Sequence, residues 1–371
     1  MRRWRRAAAS LLALALAACS TAEKPKPTPL QELTPKIAGR QVWRAQVGGI
    51  EFPLALTALA DRFVAAGGDG TVLALDAGTG RELWRGSAGA PLSAGVGSDG
   101  RYSSVVTRDN ELVVFDAGAV LWRKRLNARV LTAPLVAGER VFVLRVDRAV
   151  QAFDALDGRP LWTYERPGEP LTLAQGGLIA PFGDLLLVGQ GPRLAALDPL
   201  RGTLRWEVAV ATPRGTNEVE RLADLVGPAT RIGNTVCARA FQSAVGCVDA
   251  TRGGLLWSRP NAGAQALGGD ADLVLGADAS SRLTAWRTAS GEVAWSNDRL
   301  LYRDLSGLLL AGSVAVVGDL EGQVHFLARE SGETQLRLAT DGTPVVGRPV
   351  LAGTTVLVAT RGGGLFAFRP Q

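Results

Sequence analysis

One unit of about 40 residues recurs along most of the chain and constrains the fold more than any other feature. Its template occupies residues 70–84, which read as an alternating strand, Asp76, a turn closed by Gly80, and Trp84 four residues later. The same three residues return in register as Asp154, Gly158 and Trp162, as Asp198, Gly202 and Trp206, and as Asp249, Gly253 and Trp257. A unit of this length cannot bury both its apolar faces alone, so the units must stack against one another.

Three further copies keep the frame with substitutions. In the copy from Asp116 to Trp122 the turn is two residues shorter. In the copy with Gly291 and Trp295, Arg287 replaces the Asp. In the copy with Gly332, Ala328 replaces the Asp and Leu336 replaces the Trp. Each unit contains four short apolar segments separated by Gly, Asp or Asn turns, which is the pattern of a four-stranded antiparallel sheet.

The two terminal copies are incomplete and complementary. Trp43 has its strand but no strand or turn before it, whereas residues 363–369 form a strand with nothing after it. Joined, they complete one unit and give eight in all. The sequence therefore predicts an all-β fold, an eight-bladed β-propeller of four-stranded antiparallel blades over residues 39–371, with the ring closed by the N- and C-terminal strands. An open solenoid is the alternative, disfavoured because the end units lack polar caps.

The repeated residues have a structural role that the turn chemistry explains. The Asp side chain caps the turn, and the Gly supplies a positive φ where the last strand reverses. The Trp ring is expected to be buried against the neighbouring blade. The structural tryptophans are Trp43, Trp84, Trp122, Trp162, Trp206, Trp257 and Trp295.

Composition and charge exclude several classes of protein. The 45 Gly and 19 Pro, with 20% charged residues, are typical of a turn-rich apolar chain and not of a coiled coil or a disordered one. The formal charge of +6 falls to +2 without Arg2, Arg3, Arg5 and Arg6. Because no basic run lies beyond them, nucleic acid is not an expected partner.

The N-terminal residues predict a secretion signal and a lipid anchor. Residues 1–18 read as a signal peptide, because the apolar run after the four arginines is too short to span a bilayer. The run ends Leu16-Ala17-Ala18-Cys19, which resembles the lipobox of bacterial lipoproteins and implies lipidation of Cys19; an ordinary secretory leader is the alternative. Ser20 after it implies the outer membrane, facing the periplasm. Residues 19–38 are Pro-rich and predict an extended tether with a reach of roughly 60 Å.

The repeat itself resembles the pyrroloquinoline-quinone-type propeller repeat, whose Trp docks between blades, from about Gly39 to Arg369. That resemblance implies the fold but no particular activity, because dehydrogenases, sensors and scaffolds share it. Eight such blades behind a lipobox resemble the BamB family, lipoproteins of the outer-membrane β-barrel assembly (BAM) complex. This resemblance implies a non-catalytic scaffold without cofactor, monomeric within the complex, that binds the POTRA domains of BamA and assists insertion of outer-membrane β-barrel proteins.

Two loops carry the residues that the family resemblance implies for partner binding. Residues 214–224 lie in the longest interval between repeats and are similar to the family's insertion, with Val226 where a second acidic residue would stand. Residues 170–176 are similar to a partner-facing loop of Leu-x-Leu-Arg-Gly type, with Ala174 in place of the Arg. The implied contacts are Leu171, Leu173, Glu218, Arg221, Leu222 and Asp224. A solvated charged loop is the alternative for the second group.

Two other classes of function stay open from the residues: a periplasmic quinoprotein dehydrogenase, and a propeller that senses or binds another ligand. A quinoprotein is expected to show adjacent cysteines and a calcium-binding set, and the chain has no Cys-Cys pair. His325, the one histidine, is expected to be a packed or half-exposed strand residue, since no second His exists for a metal pair.

Cys237 and Cys247 flank a hairpin. If its turn centres near Gln242, the two cysteines lie opposite each other and can form a disulfide, or they remain two buried thiols.

Overall fold

The computed structural model describes residues 25–166, 172–213 and 215–370, which form strands, turns and irregular segments. The first sixteen strands are β1 Gly39–Gln46, β2 Thr57–Ala58, β3 Arg62–Ala66, β4 Thr71–Asp76, β5 Glu82–Ser87, β6 Gly97–Ser98, β7 Tyr102–Val106, β8 Glu111–Asp116, β9 Ala119–Arg125, β10 Leu135–Ala137, β11 Arg140–Leu144, β12 Val150–Asp154, β13 Pro160–Tyr164, β14 Ile179–Phe182, β15 Leu185–Gln190 and β16 Arg193–Leu197. The others are β17 Leu204–Ala209, β18 Leu225–Ile232, β19 Thr235–Ala240, β20 Ala244–Asp249, β21 Gly254–Pro260, β22 Gly268–Gly269, β23 Leu273–Ala277, β24 Leu283–Arg287, β25 Val293–Asn297, β26 Leu309–Ala311, β27 Val314–Gly318, β28 Gln323–Ala328, β29 Thr334–Ala339, β30 Val345–Ala352, β31 Thr355–Thr360 and β32 Gly364–Pro370.

These strands form eight four-stranded antiparallel sheets. Blades 1 to 7 each take four consecutive strands, from β2–β5 to β26–β29, and blade 8 has the order β1-β32-β31-β30. Strand β1 pairs antiparallel with β32, with Trp43 opposite Ala367. The predicted closure of an eight-bladed ring by the two terminal strands is confirmed, and with it the all-β fold class.

The core lies between neighbouring blades. Phe63 and Leu73 of blade 1, for example, share a buried cluster with Leu357 and Leu365 of blade 8. The middle strands of a blade are buried on both faces, so that β4 is apolar along nearly its whole length. Stacking removes both faces of each sheet from water, which is the reason that a single unit would not be stable alone.

The repeated turn joins each blade to the one before it. Asp76 Oδ1 accepts hydrogen bonds from the Thr79 amide at 2.8 Å and from its hydroxyl at 2.7 Å. Gly80 has a φ of +72°, and a Cβ there would lie 2.5 Å from the ring of Trp43. The same glycine–tryptophan contact recurs at Gly158/Trp122, Gly202/Trp162, Gly253/Trp206, Gly291/Trp257 and Gly332/Trp295. The glycine therefore serves two purposes, the turn conformation and the seat of the preceding blade's tryptophan.

Part of the predicted tether contacts the propeller. Its described part, residues 25–38, has no strand, as its proline content predicts, but residues 28–37 follow the edge of blade 7. We call residues 28–37 the strap. The Thr28 amide donates to the Leu301 carbonyl at 3.0 Å, and the Lys36 amide donates to Gln335 at 2.8 Å. Composition alone did not reveal this docking, because single apolar side chains such as Leu30 find partners on the propeller.

The rest of the N-terminal prediction lies outside the described residues. The signal peptide of residues 1–18 and the lipidation of Cys19 therefore stay predictions. Within the described residues, no helix has the length and apolar character needed to cross a membrane.

Cys237 and Cys247 lie directly opposite each other on β19 and β20 and form a disulfide in the structure. Gln242, with a φ of +47°, lies in the turn between them. Both cysteines are fully buried next to Trp257 and Trp286, so the bond is shielded from solvent.

We expect the Cys237→Ala, Cys247→Ala double variant to lose about 3 kcal/mol of unfolding free energy. The reason is that the native bond closes a loop of ten residues' separation and restricts the unfolded chain. Urea unfolding without reductant measures the difference. Wild-type protein unfolded with reductant is the control, and equal stability of oxidised and reduced wild type would contradict the expectation.

Candidate partner-binding site

The two predicted partner loops lie side by side on one face of the ring, where the chain enters the inner strands β14 and β18. We call this the entry face. Gly177, before β14, forms an isolated antiparallel bridge with Val226, at the start of β18, and the Gly227 amide donates to the Gly176 carbonyl at 3.2 Å. These backbone contacts hold the two loops in a fixed relation, although about 50 residues separate them in sequence.

Asp224 is the residue that connects the loops. Its Oδ2 accepts a hydrogen bond from the Leu173 amide at 2.9 Å, and its Oδ1 accepts one from Arg148 Nη2 at 2.8 Å. The Asp224 side chain is only 16% exposed. Both oxygens of this partly buried carboxylate accept hydrogen bonds, one from a cation and one from an amide. These bonds fix the position of the side chain.

Arg148 is a member of this site that sequence reasoning missed. It lies in the turn between β11 and β12 of blade 3, with a φ of +64°. Its carbonyl accepts a hydrogen bond from Gln190 Nε2 at 2.9 Å, which ties the turn to blade 4. Arg148 and Asp224 are 76 residues apart, so no local pattern in the sequence connects them. The sequence around Arg148 indicated only a charged turn.

The other predicted contacts fall into three groups. Arg221 and Leu222 are half-buried and line, with Arg148 and Asp224, a cavity of about 240 Å³. Glu218 is exposed and lies apart from this cavity. Leu171 lies outside the described residues. The structure thus brings Arg221, Leu222 and Asp224 to one cavity, with the Leu173 amide bonded to Asp224, and it does not bring Glu218 to that cavity.

The insertion has its own internal brace. Glu220, a carboxylate that the sequence analysis did not single out, accepts hydrogen bonds from the Thr216 amide at 2.7 Å and hydroxyl at 3.1 Å. These bonds hold the pKa of Glu220 below its usual range. The first loop is braced as well, because Gln175 Nε2 donates at 2.7 Å to the carbonyl of Ala264, in the segment before β22 of blade 6. Both loops therefore present a shaped surface.

His325 is completely buried in blade 7. Its Nε2 lies 3.0 Å from Asp319 Oδ2, and the same oxygen accepts a hydrogen bond from Arg303 Nε at 2.7 Å. Burial lowers the pKa of His325, against the opposing effect of Asp319. Its Nδ1 has no hydrogen-bond partner among the described residues, so a second ring proton would have no acceptor there. His325 is a packed strand residue, and the half-exposed alternative does not apply.

We expect His325 to make the protein less stable as the pH falls below about 6.5, the usual pKa of an unfolded histidine. The folded imidazole resists protonation, so the unfolded state binds more protons there and stability falls by up to about 1.4 kcal/mol per pH unit. Urea unfolding midpoints at pH 7.5, 6.5 and 5.5 measure this. In the His325→Gln variant, whose amide can still donate to Asp319, the loss should be smaller; equal slopes would contradict the assignment.

The side chains of the repeated aspartates form hydrogen bonds within their own turns. Asp198, for example, accepts hydrogen bonds from the Leu200 and Arg201 amides at 2.8 and 3.1 Å and from Arg205 Nη2 at 2.6 Å. The amide of Leu200 and the other donors hold the pKa of Asp198 below its usual value. In the described ranges of the chain, no group of three His, Cys, Asp or Glu residues is arranged to hold a metal ion.

Comparisons with known proteins agree with this architecture. The family model described as outer membrane protein assembly factor BamB matches residues 68–297. The protein of that name from Burkholderia pseudomallei is 37% identical over 96% of this chain and 96% of its own length. Its counterpart from Bordetella pertussis is 36% identical over 99% of this chain and 97% of its own.

Solved structures agree on the fold. The crystal structure of BamB from Moraxella catarrhalis superposes with a TM-score of 0.80, at 24% identity over 90% of this chain and 100% of that chain. A quinohemoprotein alcohol dehydrogenase from Comamonas testosteroni superposes with a TM-score of 0.70, at 15% identity over 89% of this chain and 76% of its own. The likeness to the dehydrogenase is one of fold alone. By the extent and identity of its relatives, the chain belongs to the BamB family of outer membrane protein assembly factors.

Proposed function

We propose that this protein is a non-catalytic outer-membrane protein assembly factor that acts by binding the POTRA domains of BamA. Family membership over nearly the whole chain supports the assembly role. The observation that carries the partner assignment is the contact of Asp224 with Arg148 and Leu173, which joins two loops on the entry face. As a member of the complex, the protein is expected to act as a monomer.

This surface suits recognition of a folded partner. Leu173 is half-buried and supplies apolar area, while Asp224 and Arg148 supply opposite charges at its side. Because the loops are already braced by backbone bridges, little conformational freedom remains to be lost on binding. Long loops on a rigid scaffold are common sites of recognition. The expected contact surface centres on Leu173, Arg221, Leu222 and Asp224; contacts of Leu171 and Glu218 stay predictions that the family resemblance implies.

Anchoring adds to this affinity. The proposed layout is a signal peptide over residues 1–18, lipidated Cys19 with its tether, and the propeller from residue 39, with the lipid in the outer membrane and the propeller in the periplasm. Eight residues lie between Cys19 and Thr28, where the strap begins, so the nine steps from one to the other span at most about 30 Å. The propeller would therefore stay closer to the membrane than a free tether allows, which raises its effective concentration beside a membrane-bound partner.

The non-catalytic part of the proposal rests on how the polar residues are used. The turn aspartates bind backbone amides of their own turns. His325 is enclosed with Asp319 and Arg303. The competing proposal, a quinoprotein dehydrogenase, predicts dye-linked alcohol or aldehyde oxidation when pyrroloquinoline quinone and calcium are added. We expect no such oxidation; a quinone-dependent rate would overturn the non-catalytic assignment.

Co-purification from detergent-solubilised membranes tests the partner. Tagged full-length protein is expected to retain BamA, and a lipid-anchored propeller of unrelated function serves as the control for membrane carry-over. Absence of BamA from the wild-type eluate would contradict the proposal. Failure of Cys19→Ala to lower the amount retained would contradict only the contribution of the anchor.

A further inference from the structure

One arginine, Arg348, occupies the centre of the ring with few partners. It lies on the inner strand β30 of blade 8, where the register shifts between Val346 and Val350. Gly347 there has a φ of +72°, and Pro349 has no amide hydrogen to donate to the ladder. The strand therefore bulges at this point, and the arginine lines the central channel on both sides of the bulge.

The guanidinium of Arg348 reaches across the channel to other blades. Its Nη1 lies 3.5 Å from Thr230 Oγ1 of blade 5 and 3.4 Å from the Leu267 carbonyl oxygen, before blade 6. Both contacts are long and both acceptors are neutral. Among the described residues, Nε is buried without a hydrogen-bond partner, and Nη2 makes no hydrogen bond. Because Nε is enclosed by protein, Nη2 is the nitrogen of Arg348 that is available to a ligand.

The electrostatics agree with this geometry. Burial lowers the pKa of Arg348 to about 10, and no carboxylate offsets that effect. The residue keeps some accessible surface because it faces the channel, although protein surrounds it. Arg239, a second buried arginine, has closer partners: it donates to the Gln265 carbonyl at 2.8 Å and to Asn261 Oδ1 at 2.6 Å. Burial lowers the pKa of Arg239 to about 10 as well, but there the charge of Asp278 opposes the effect.

A cavity adjoins Arg348 on the side of the entry face. Its volume is about 270 Å³, and its lining includes Arg361, Gln265, Ser306 and Asp304. Two cations against one carboxylate give the charged side chains of the cavity a formal excess of +1. An arginine whose Nη2 is open to a cavity of positive charge suits the oxygens of a carboxylate or phosphate.

We propose that the central channel binds a small oxyanion, a carboxylate or a phosphate, on Nη2 of Arg348. Arg361 contributes long-range attraction at the rim, and Gln265 supplies a neutral polar group. Binding offsets the cost of a buried cation that has only neutral partners. The inference is independent of the proposed role in assembly, since it requires no contact with BamA.

Calorimetric titration of the detergent-solubilised full chain tests the site. The probes are inorganic phosphate and citrate, titrated separately in chloride buffer at constant ionic strength, so that the two sources of the oxygen pair are distinguished. Saturable binding of either probe supports the proposal. Arg348→Gln is expected to weaken binding at least tenfold. Arg348→Lys, which keeps the charge but not the planar guanidinium, is expected to weaken it severalfold. Arg361→Gln is expected to weaken it only two- to threefold.

Arg44→Gln, an exposed arginine on β1 of the same blade, is the matched control and should bind like wild type. If neither probe gives saturable binding, or if folded Arg348→Gln binds as tightly as wild type, the proposal is wrong. An equal loss in Arg44→Gln would also overturn it, because binding would then follow net charge alone. Should Arg348→Gln fail to fold, Arg348→Lys decides the question by the same comparison.

Discussion

Truncation of Trp257 to alanine is expected to lower the free energy of unfolding by about 3–5 kcal/mol. The ring is 5% exposed and belongs to a cluster with Val274 and Trp286 of blade 6. Its Nε1 donates to the Thr288 carbonyl at 2.7 Å, again in blade 6. The variant thus loses apolar contacts and a buried hydrogen bond between blades 5 and 6. Urea unfolding measures the change, with Leu256→Ala, its 49% exposed neighbour, as the control expected to cost under about 0.5 kcal/mol.

The matching glycine gives a second test of the same contact. A Cβ at Gly291 would lie 2.6 Å from the Trp257 ring, whereas one at Gly312 would have open space, and both glycines have φ near +65°. Alanine at Gly312 should therefore cost only the strain of its backbone conformation, about 1–2 kcal/mol. Alanine at Gly291 should lower the free energy of unfolding by the same backbone strain and, in addition, by the cost of displacing the Trp257 indole. Equal losses in the two variants would show that the ring does not depend on this glycine.

Reversal of charge at Asp224 is expected to weaken association with BamA at least tenfold. In Asp224→Arg, the Leu173 amide loses its acceptor and Arg148 faces a like charge, so both loops lose their shared brace. A tenfold loss corresponds to about 1.4 kcal/mol, which is the scale expected when loops that were held in place have to be ordered on binding. Binding of purified POTRA domains to the full-length protein measures the effect, with thermal unfolding as the check on folding.

Two variants separate the site from general damage to loops. Asp278→Asn changes a carboxylate that accepts amide hydrogen bonds from Ser280 and Arg282 in blade 6, and it should bind BamA like wild type. Exchange of the charges in Asp224→Arg with Arg148→Asp restores the ion pair but not the bond to Leu173, so only part of the affinity should return. If folded Asp224→Arg binds as wild type does, the site is wrong while the assembly role stands.

The blade architecture could be predicted because its determinants are local. Asp76, Gly80 and Trp84 lie within nine positions, and their turn chemistry is visible without any knowledge of the neighbouring blade. The halves around Trp43 and Phe368 were far apart in sequence, yet each was recognisable as a fragment of the same unit. Even the opposition of Cys237 and Cys247 followed from the position of one turn, although the disulfide itself was one of two alternatives.

The candidate sites depend instead on which distant loops the closed ring brings together. Arg148 and Asp224 come from different blades, Arg348 reaches Thr230 across the channel, and Leu30 of the strap packs on blade 7 and its neighbour. None of these residues has a local pattern that names its partner, because side-chain contacts between blades depend on the radius and stagger of the ring. Turn and strand chemistry act within one unit and are legible in its residues; contacts between units arise only once all eight have closed.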